Sequence, residues 1–429
     1  MSSGVLLIFI LLGICMSIGV PIGIALGVAT AVTMALTTNL KLLTIAQSCF
    51  GGLDSFPLMA IPFFILAGNL MKYGGISRRL LDFSGSIVGS IRGGLGMVTI
   101  LSSMFFAAIS GSAPATVTAI GSITIPEMKE KGYDVGYAAA LTASAGTIGI
   151  IIPPSVPFVV YGVISGASIG GLFMAGVIPG MLIGIGLMSV NYFASKKYGY
   201  GGNKEKFSFK DVFASFKDAI FALLCPVIIL GGIYGGIFTP TESAVVGIVY
   251  ALAVGTFIYK ELKPKDIYAA FKDTVLINGA TTFMVGLSLA FASYLTMAQV
   301  PVTIANTMLS VSDNPILIFL MINLLLIVVG CFIDNISSCV ILTPILLPIA
   351  VKMGMDPIQF GIVMTVNLAI GFVTPPYGAN LFFASAVAHT SVEKISSKII
   401  QFILVMLIIL FALTFIPSLS MWLPNLLMN

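Results

Sequence analysis

Two stretches of this chain interrupt long hydrophobic runs in the same way, 222 positions apart. In each stretch a polar break is followed by a second apolar run that ends at two adjacent prolines. The matched positions are Pro126 and Pro348, Gly132 and Gly354, Asp134 and Asp356, Gly149 and Gly371, Pro153 and Pro375, and Pro154 and Pro376. The polar breaks are Ser110-Gly111-Ser112 and Asp334-Asn335. In a membrane protein, paired interruptions in two halves of the chain indicate a binding site near the bilayer midplane.

The composition predicts an all-α polytopic protein embedded in a lipid bilayer. Hydrophobic residues make up 58% of the chain and charged residues 8%, and the mean hydropathy is +1.11. Apolar runs of about 20 residues, the length that crosses a bilayer as a helix, recur along the sequence. The basic residues flank these runs instead of forming one patch, so we predict no nucleic-acid partner.

The residues that enzymes and metal centres need are scarce. His389 is the only histidine, which argues against zinc, haem and a Ser-His-Asp hydrolase. The cysteines have no framework spacing and are typical of small core residues; they are Cys15, Cys49, Cys225, Cys331 and Cys339. We therefore predict neither an enzyme nor a covalently bound cofactor.

The breaks and the charges together predict two repeats of opposite orientation. The first repeat spans 1–195, with a re-entrant hairpin at 94–126 and a broken helix at 137–168. A cytoplasmic amphipathic linker follows at 196–218. The second repeat spans 219–429, with a hairpin at 315–350 and a broken helix at 357–388. One loop is predicted to carry Lys72, Arg78, Arg79 and Arg92. An outward-crossing helix is predicted at 274–295, and the last helix at 399–420.

This topology places 18 of the 20 Lys and Arg residues on the cytoplasmic side and leaves only Lys41 and Lys352 outside. Cytoplasmic loops are expected to hold this excess. We therefore predict a membrane protein with both termini on the side opposite the cytoplasm.

The proline breaks free backbone groups inside the membrane. Proline removes a donor and excludes its predecessor from the helix, so nearby carbonyls lose their partners. Irregular backbone is tolerated there only when it is buried in protein or lines a wet cavity. Freed carbonyls suit a hard cation such as Na⁺, and helix N-termini suit a carboxylate. Neither the hairpin tips nor the centres of the broken helices contain Lys or Arg, so an anion there needs helix N-termini, hydroxyls, amides or bound cations.

Several segments resemble the large membrane subunit of TRAP transporters, the tripartite ATP-independent periplasmic type. They are 60–68 (AIPFFILAG), 109–116 (ISGSAPAT) with 126–128 (PEM), 146–155 (GTIGIIIPPS) and 238–244 (FTPTESA). The resemblance covers nearly the whole chain. It implies a sodium-driven elevator-type transporter of the ion-transporter superfamily for an organic-acid anion such as a C4-dicarboxylate, sialic acid or a sugar acid. It also implies a periplasmic substrate-binding protein and a small four-helix membrane subunit, which we expect on a separate polypeptide.

The resemblance also implies two Na⁺ sites. The first would use Ser110, Ser112, Gly149, Ile152 and Pro154. The second would use Gly330, Gly371, Thr374 and Tyr377. The copies differ where Ser112 aligns with Asp334 and Ile152 with Thr374. Candidate substrate contacts lie at or beside the breaks; they are Thr116, Asp334, Asn335, Ser337 and Asn380.

Several alternatives stay open at this point. Asp334 is either functional or a helix cap, while Glu242 is better interpreted as a cap. The segment 39–53 is either an amphipathic arm or a loop. A stand-alone transporter of the same superfamily, or a channel, would share the paired breaks.

Overall fold

The computed structural model describes residues 3–38, 41–201, 207–312 and 314–427, and the regular structure in these ranges is entirely helical. Eight described helices are long and apolar enough to cross a membrane by length and composition. The first ten helices are α1 (Ser3–Ser17), α2 (Ile22–Thr37), α3 (Leu43–Leu53), α4 (Ala60–Tyr73), α5 (Ile76–Val88), α6 (Gly94–Ser110), α7 (Ala113–Glu130), α8 (Val135–Gly146), α9 (Val156–Ser165) and α10 (Ile169–Tyr198).

The second half begins after the linker. Its helices are α11 (Phe209–Tyr234), α12 (Pro240–Ala253), α13 (Pro264–Met297), α14 (Val300–Val311), α15 (Pro315–Phe332), α16 (Asn335–Lys352), α17 (Pro357–Gly371), α18 (Ala379–Ala388), α19 (Val392–Phe415) and α20 (Ser418–Leu427). Several bounds repeat at the offset seen in the sequence. Helices α7 and α16 begin at 113 and 335, and α8 and α17 begin at 135 and 357, in each case 222 positions apart. The inversion of the second copy stays a prediction.

Proline and cap residues explain where the helices near the breaks begin and end. Asp134 and Asp356 cap α8 and α17 by accepting backbone N–H bonds, and Ser155 caps α9 in the same way. Proline is tolerated at a first helical turn because its missing donor has no partner there. The stretches between α8 and α9, and between α17 and α18, are not α-helical and each contains one of the double prolines.

The two halves exchange packing partners. Helix α9 packs on α16, and α18 packs on α7 and α8. Each half-helix that follows a break therefore lies against the second hairpin helix of the other half. A separate group forms where α2, α3 and α4 pack on α13, and α12 packs on α4. The hairpins and broken helices thus form one body, and α4 with α13 belongs to a neighbouring one.

Four boundary predictions are wrong. Lys72 lies in the last turn of α4 and Arg78 and Arg79 lie in α5, because the segment 76–88 buries an apolar face and forms a helix instead of a loop. The helix assigned to 274–295 is the 34-residue α13, and α14 follows it before the second hairpin. The helix assigned to 399–420 ends at Phe415 because Pro417 cannot continue it, and α20 follows.

The other structural expectations have mixed outcomes. Part of the linker, 202–206, and part of the arm, 39–40, lie outside the described residues. The linker ends as the first turns of α11, on which Phe209 and Phe213 are exposed. The arm contains α3, a helix with no buried residue. Glu242 forms a capping box with Thr239, so the interpretation as a cap is confirmed.

A buried contact joins α8, α10 and the entrance of the first hairpin. Asn191 is fully buried, accepts a hydrogen bond from the Tyr137 hydroxyl at 3.0 Å and donates one to the Gly93 carbonyl at 3.0 Å. A Cβ added at Gly96 would overlap the Asn191 amide, so glycine is needed for this close approach. One side chain therefore fixes three elements together.

We expect Asn191→Ala to destabilise the protein by about 1 kcal/mol or more, because it removes the acceptor of the buried Tyr137 hydroxyl and one of the two donors to the Gly93 carbonyl, which keeps Met97 N. Thermal unfolding of the purified protein in detergent measures this change. Ser189→Ala is the matched control, because Ser189 is exposed on the same helix and bonds only the Ile185 carbonyl. Equal unfolding temperatures for the two variants would contradict this account of the contact.

Candidate functional site

A cavity of about 510 Å³ lies where the two bodies meet. Its wall on one side comes from both hairpin tips and both breaks; the residues include Ser110, Gly111, Ser112, Thr118, Ile150, Val156, Asp334, Asn335 and Phe372. The rest of the wall comes from α4 and α13; it includes Gly68, Asn69, Lys72, Asp273, Ile277 and Thr281. The structure therefore brings the two sequence breaks, 222 positions apart, to one cavity.

The first hairpin tip is held by hydroxyl groups and backbone. Thr116 Oγ1 donates to the Ser112 carbonyl at 2.8 Å and lies 3.1 Å from Ser110 Oγ. Gly111 turns the chain with a φ of 60°, a conformation that favours glycine. Its carbonyl accepts a hydrogen bond from Val156 N at 3.3 Å. The tip is thus bonded directly to the start of the helix after the break.

The first break also lies against the tip, and its carbonyls are free. A Cβ placed on Gly149 would be 2.6 Å from the Ser112 carbonyl oxygen, and one on Gly111 would be 2.8 Å from that of Pro154. Within the described ranges, no hydrogen-bond donor reaches the carbonyl oxygens of Gly149, Ile152 or Pro154. Hydroxyl and free carbonyl oxygens close together are ligands suited to a hard cation.

At the second break a hairpin helix also contacts the broken helix through backbone atoms, but the carbonyl groups there are hydrogen-bonded differently. A Cβ on Gly330 would lie 3.3 Å from the Gly371 Cα atom, so α15 and α17 approach through their glycines. The Gly371 and Thr374 carbonyls already accept hydrogen bonds, from Thr374 N and Gly378 N. Thr374 Oγ1 donates to the Ile370 carbonyl at 2.7 Å. Tyr377 is 59% exposed, with its ring 5.5 Å from that of Phe332. The two predicted cation sites are therefore not equivalent in this structure.

Asp334 is a helix cap, which is one of the two roles that the sequence left open, and its functional role stays a prediction. Its Oδ2 atom accepts hydrogen bonds from Ile336 N at 2.9 Å and Ser337 N at 3.0 Å, so it caps α16. Its Oδ1 atom is buried and has no partner within the described residues. The adjacent Asn335 is 3% exposed, and both polar atoms of its amide are likewise unpartnered in that part of the chain. Because both residues line the cavity, these atoms are available to a ligand.

The other predicted substrate contacts lie behind the cavity wall. Thr116 is fully buried in the first tip. Ser337 Oγ is 3.3 Å from Ser288 Oγ. Asn380 donates to the Ala143 carbonyl at 3.2 Å, and its Oδ1 atom has no described partner. These three residues support the wall, and their contact with substrate stays a prediction.

The sequence analysis missed the contribution of α4 and α13. Lys72 and Asp273 line the cavity, although Lys72 had been assigned to a loop and Asp273 had been given no role. Asn69 on α4 donates to Thr274 Oγ1 on α13 at 2.9 Å and joins the two helices. The sequence signal for Lys72 was a charged residue next to an apolar run. An ordinary helix end has the same pattern, so sequence alone does not distinguish the two.

Solved structures first define the class of fold. The chain superposes on the YdaH transporter of Alcanivorax borkumensis with a TM-score of 0.62 and 12% identity, covering 94% of this chain and 98% of that one. It superposes on Neisseria gonorrhoeae MtrF, an antimetabolite efflux pump, with a TM-score of 0.59 and 13% identity, over 93% and 94% of the two chains. At these identities the similarity establishes the fold alone, which is that of an all-helical polytopic membrane protein.

The family model for the tripartite ATP-independent periplasmic transporter, DctM component, matches residues 9–419. The chain therefore belongs to this family of large permease subunits, which transport organic acids, are integral to the inner membrane and are not enzymes. It is 41% identical to the sialic acid TRAP transporter large permease SiaM of Vibrio cholerae and 40% identical to the C4-dicarboxylate permease DctM of Pseudomonas aeruginosa, each over 89% of both chains.

A third relative is longer than this chain. The isethionate TRAP transporter permease DctMQ of Oleidesulfovibrio alaskensis is 48% identical over 88% of this chain. The match spans 60% of that relative's length, so what the whole of DctMQ does is not transferred to this chain by the match.

We expect Gly149→Ala to lower stability by about 1–3 kcal/mol, because the added methyl group overlaps the first hairpin tip. Thermal unfolding measures the change. Gly231→Ala on α11 is the control, because a Cβ there meets nothing within 4 Å. An unfolding temperature equal to that of the wild type would show that the tip and the break are not in contact.

Proposed function

We propose that this chain is the large permease of a Na⁺-coupled TRAP transporter that takes up a small organic-acid anion. The observation that carries the proposal is the cavity between the two bodies, with unpartnered polar atoms of Asp334 and Asn335 on its wall. The Asn335 amide lies at the second tip, at the N-terminus of α16, where its N–H donors and the positive end of the helix dipole favour an anion. C4-dicarboxylates, sialic acid and isethionate are candidate substrates, because the relatives carry these names.

Na⁺ is the proposed co-transported ion. The oxygens of Ser110 and Ser112, with the free carbonyls of Gly149, Ile152 and Pro154, offer the all-oxygen set that the first site requires. Gly330, Gly371, Thr374 and Tyr377 would form the second site. Because the Gly371 and Thr374 carbonyls already accept backbone hydrogen bonds, a cation there needs their second lone pairs or a local rearrangement. A bound cation beside the cavity lowers the electrostatic cost of placing an anion in it.

Movement of one body past the other would carry the cavity across the membrane. Helices α9 and α18 each pack on a hairpin helix of the other half, while α4 and α13 line the cavity beside them, with α13 packed on α16. An elevator movement of the hairpins and broken helices past α4 and α13 is the mechanism that we propose, and the proposal includes two inverted repeats with both termini on the periplasmic side. A periplasmic binding protein would deliver the anion, and a small four-helix membrane subunit on a separate chain would accompany the permease.

The deciding experiment is uptake into proteoliposomes that contain this chain and its co-encoded small subunit. Radiolabelled succinate, sialic acid and isethionate are supplied with the co-encoded binding protein, with and without an inward sodium gradient. We expect uptake of one probe only when both the binding protein and the gradient are present. Uptake without the binding protein would favour the stand-alone transporter, which the fold also accommodates, and uptake without sodium would favour a channel.

Ser110→Ala is expected to raise the sodium concentration for half-maximal uptake about tenfold, because it removes one hydroxyl ligand from the first site. Sodium titration of uptake measures this change. Ser103→Ala is the matched control, because Ser103 lies on the same helix and its buried hydroxyl bonds no described residue. Equal sodium dependence in the two variants would remove Ser110 from the site.

Asp334→Asn is expected to keep the cap of α16 and to reduce sodium-dependent uptake about tenfold or more, because the amide oxygen still accepts N–H bonds but the charge is lost. Asp356→Asn controls for capping, since Asp356 caps α17 through Ile358 N and Gln359 N. If both variants transport at the wild-type rate, the charge of Asp334 has no part in coupling.

A further inference from the structure

The cavity wall contributed by the hairpins and breaks carries no cation among its described residues. Its polar members are serines, backbone groups, Asn335 and the carboxylate of Asp334. The wall contributed by α4 and α13 carries two charged groups, Lys72 and Asp273. Lys72 is therefore the only cation among the residues described as lining the cavity.

The Lys72 ammonium group is not committed to a protein partner. The two ion pairs formed by described residues both belong to Arg79. Asp273, the carboxylate on the same wall, accepts a hydrogen bond from the Tyr73 hydroxyl at 2.8 Å. The contact described for Lys72 Nζ is the Tyr73 ring, 5.6 Å from its centroid.

An uncommitted cation on a largely apolar wall favours an anionic ligand. Charges interact more strongly beside an apolar wall than in bulk water, and the Lys72 side chain is exposed, so an opposite charge can reach its ammonium group. Three described ionisable groups line the cavity, one positive and two negative. Removal of the positive group would leave an anion facing carboxylates alone.

We propose that Lys72 binds the anionic group of the transported organic acid in this cavity, and that the carboxylate of Asp273 opposes this binding. The proposal rests on the proposed function and adds a contact from the neighbouring helices α4 and α13 to the contacts of the hairpin tips. The substrate is thus held between the two bodies in the conformation of this structure.

A simpler role for Lys72 is stabilisation of the C-terminal end of α4, where a cation interacts favourably with the helix dipole. The two roles make different predictions. A helix-end role changes protein stability and leaves anion affinity unaltered. A ligand role changes anion affinity, and it requires the two wall charges to act with opposite signs.

The test measures the affinity of the purified permease with its small subunit, in sodium buffer. The unfolding temperature is measured while one compound is added. That compound is whichever of succinate, sialic acid and isethionate the wild type takes up in vesicles. We expect Lys72→Gln to weaken the apparent Kd about tenfold and Lys72→Arg to keep it within about threefold. Asp273→Asn, which retains an acceptor for the Tyr73 hydroxyl, should tighten it.

Lys272→Gln is the matched control, because Lys272 is exposed beside Asp273 on α13 and does not line the cavity. Its apparent Kd should equal that of the wild type. An unchanged Kd in Lys72→Gln, or equal weakening in Lys72→Gln and Lys272→Gln, would overturn the proposal. So would a wild type that transports a probe but shows no unfolding shift with it. Absence of sodium-dependent uptake in the wild type would instead contradict the proposed function.

Discussion

The structure depends on one constraint, which is that backbone groups released by a helix break inside a membrane must find partners within the protein. The first break meets this constraint by direct contact with a hairpin tip, where Val156 N bonds the Gly111 carbonyl and Gly149 lies against the Ser112 carbonyl. The second does so through a glycine contact between α15 and α17 and through short backbone turns around Thr374. Since neither solution tolerates side-chain bulk, glycine, serine and threonine occupy these contacts. The carbonyls left free beside the first tip then become available to a cation.

The exchange of packing partners explains why the two breaks act as one site. The half-helix after each break packs on the hairpin of the other half, so neither half closes its core alone. A shared core of this kind moves most easily as a unit, because separating its parts would expose polar backbone to lipid. The cavity lies along the border of this unit with α4 and α13. An anion bound in it, as we propose, would contact both the hairpin tips and the helices α4 and α13.

The predictions that succeeded depend on residues close together in the sequence, whereas those that failed depend on contacts between residues far apart in the sequence. Proline, glycine and capping residues act within a few positions, so the helix starts at Ala113, Val135, Asn335 and Pro357 and the cap formed by Glu242 follow from local sequence. The loop assigned to Arg78 and Arg79 was wrong because the apolar face of α5 is satisfied by distant elements, and Arg79 pairs with Asp218 and Glu261. Lys72 was placed outside the site because a lysine at the end of an apolar run is also the ordinary signature of a membrane boundary.

By itself, the sequence determined that the chain is a polytopic helical membrane protein with two matched breaks. Hydropathy, proline and glycine act over a few residues, so their effects can be seen directly in the sequence pattern. It also determined that the hairpin tips hold no basic residue, so a cation there would need backbone and hydroxyl oxygens, and an anion would need N–H groups, hydroxyls or a bound cation. Only the tertiary structure decided which of these groups are already satisfied: the Gly149 carbonyl is free, whereas that of Gly371 is bonded. It also brought Lys72 and Asp273 onto the cavity wall, because a contact between helices some 200 residues apart depends on packing that no local pattern records.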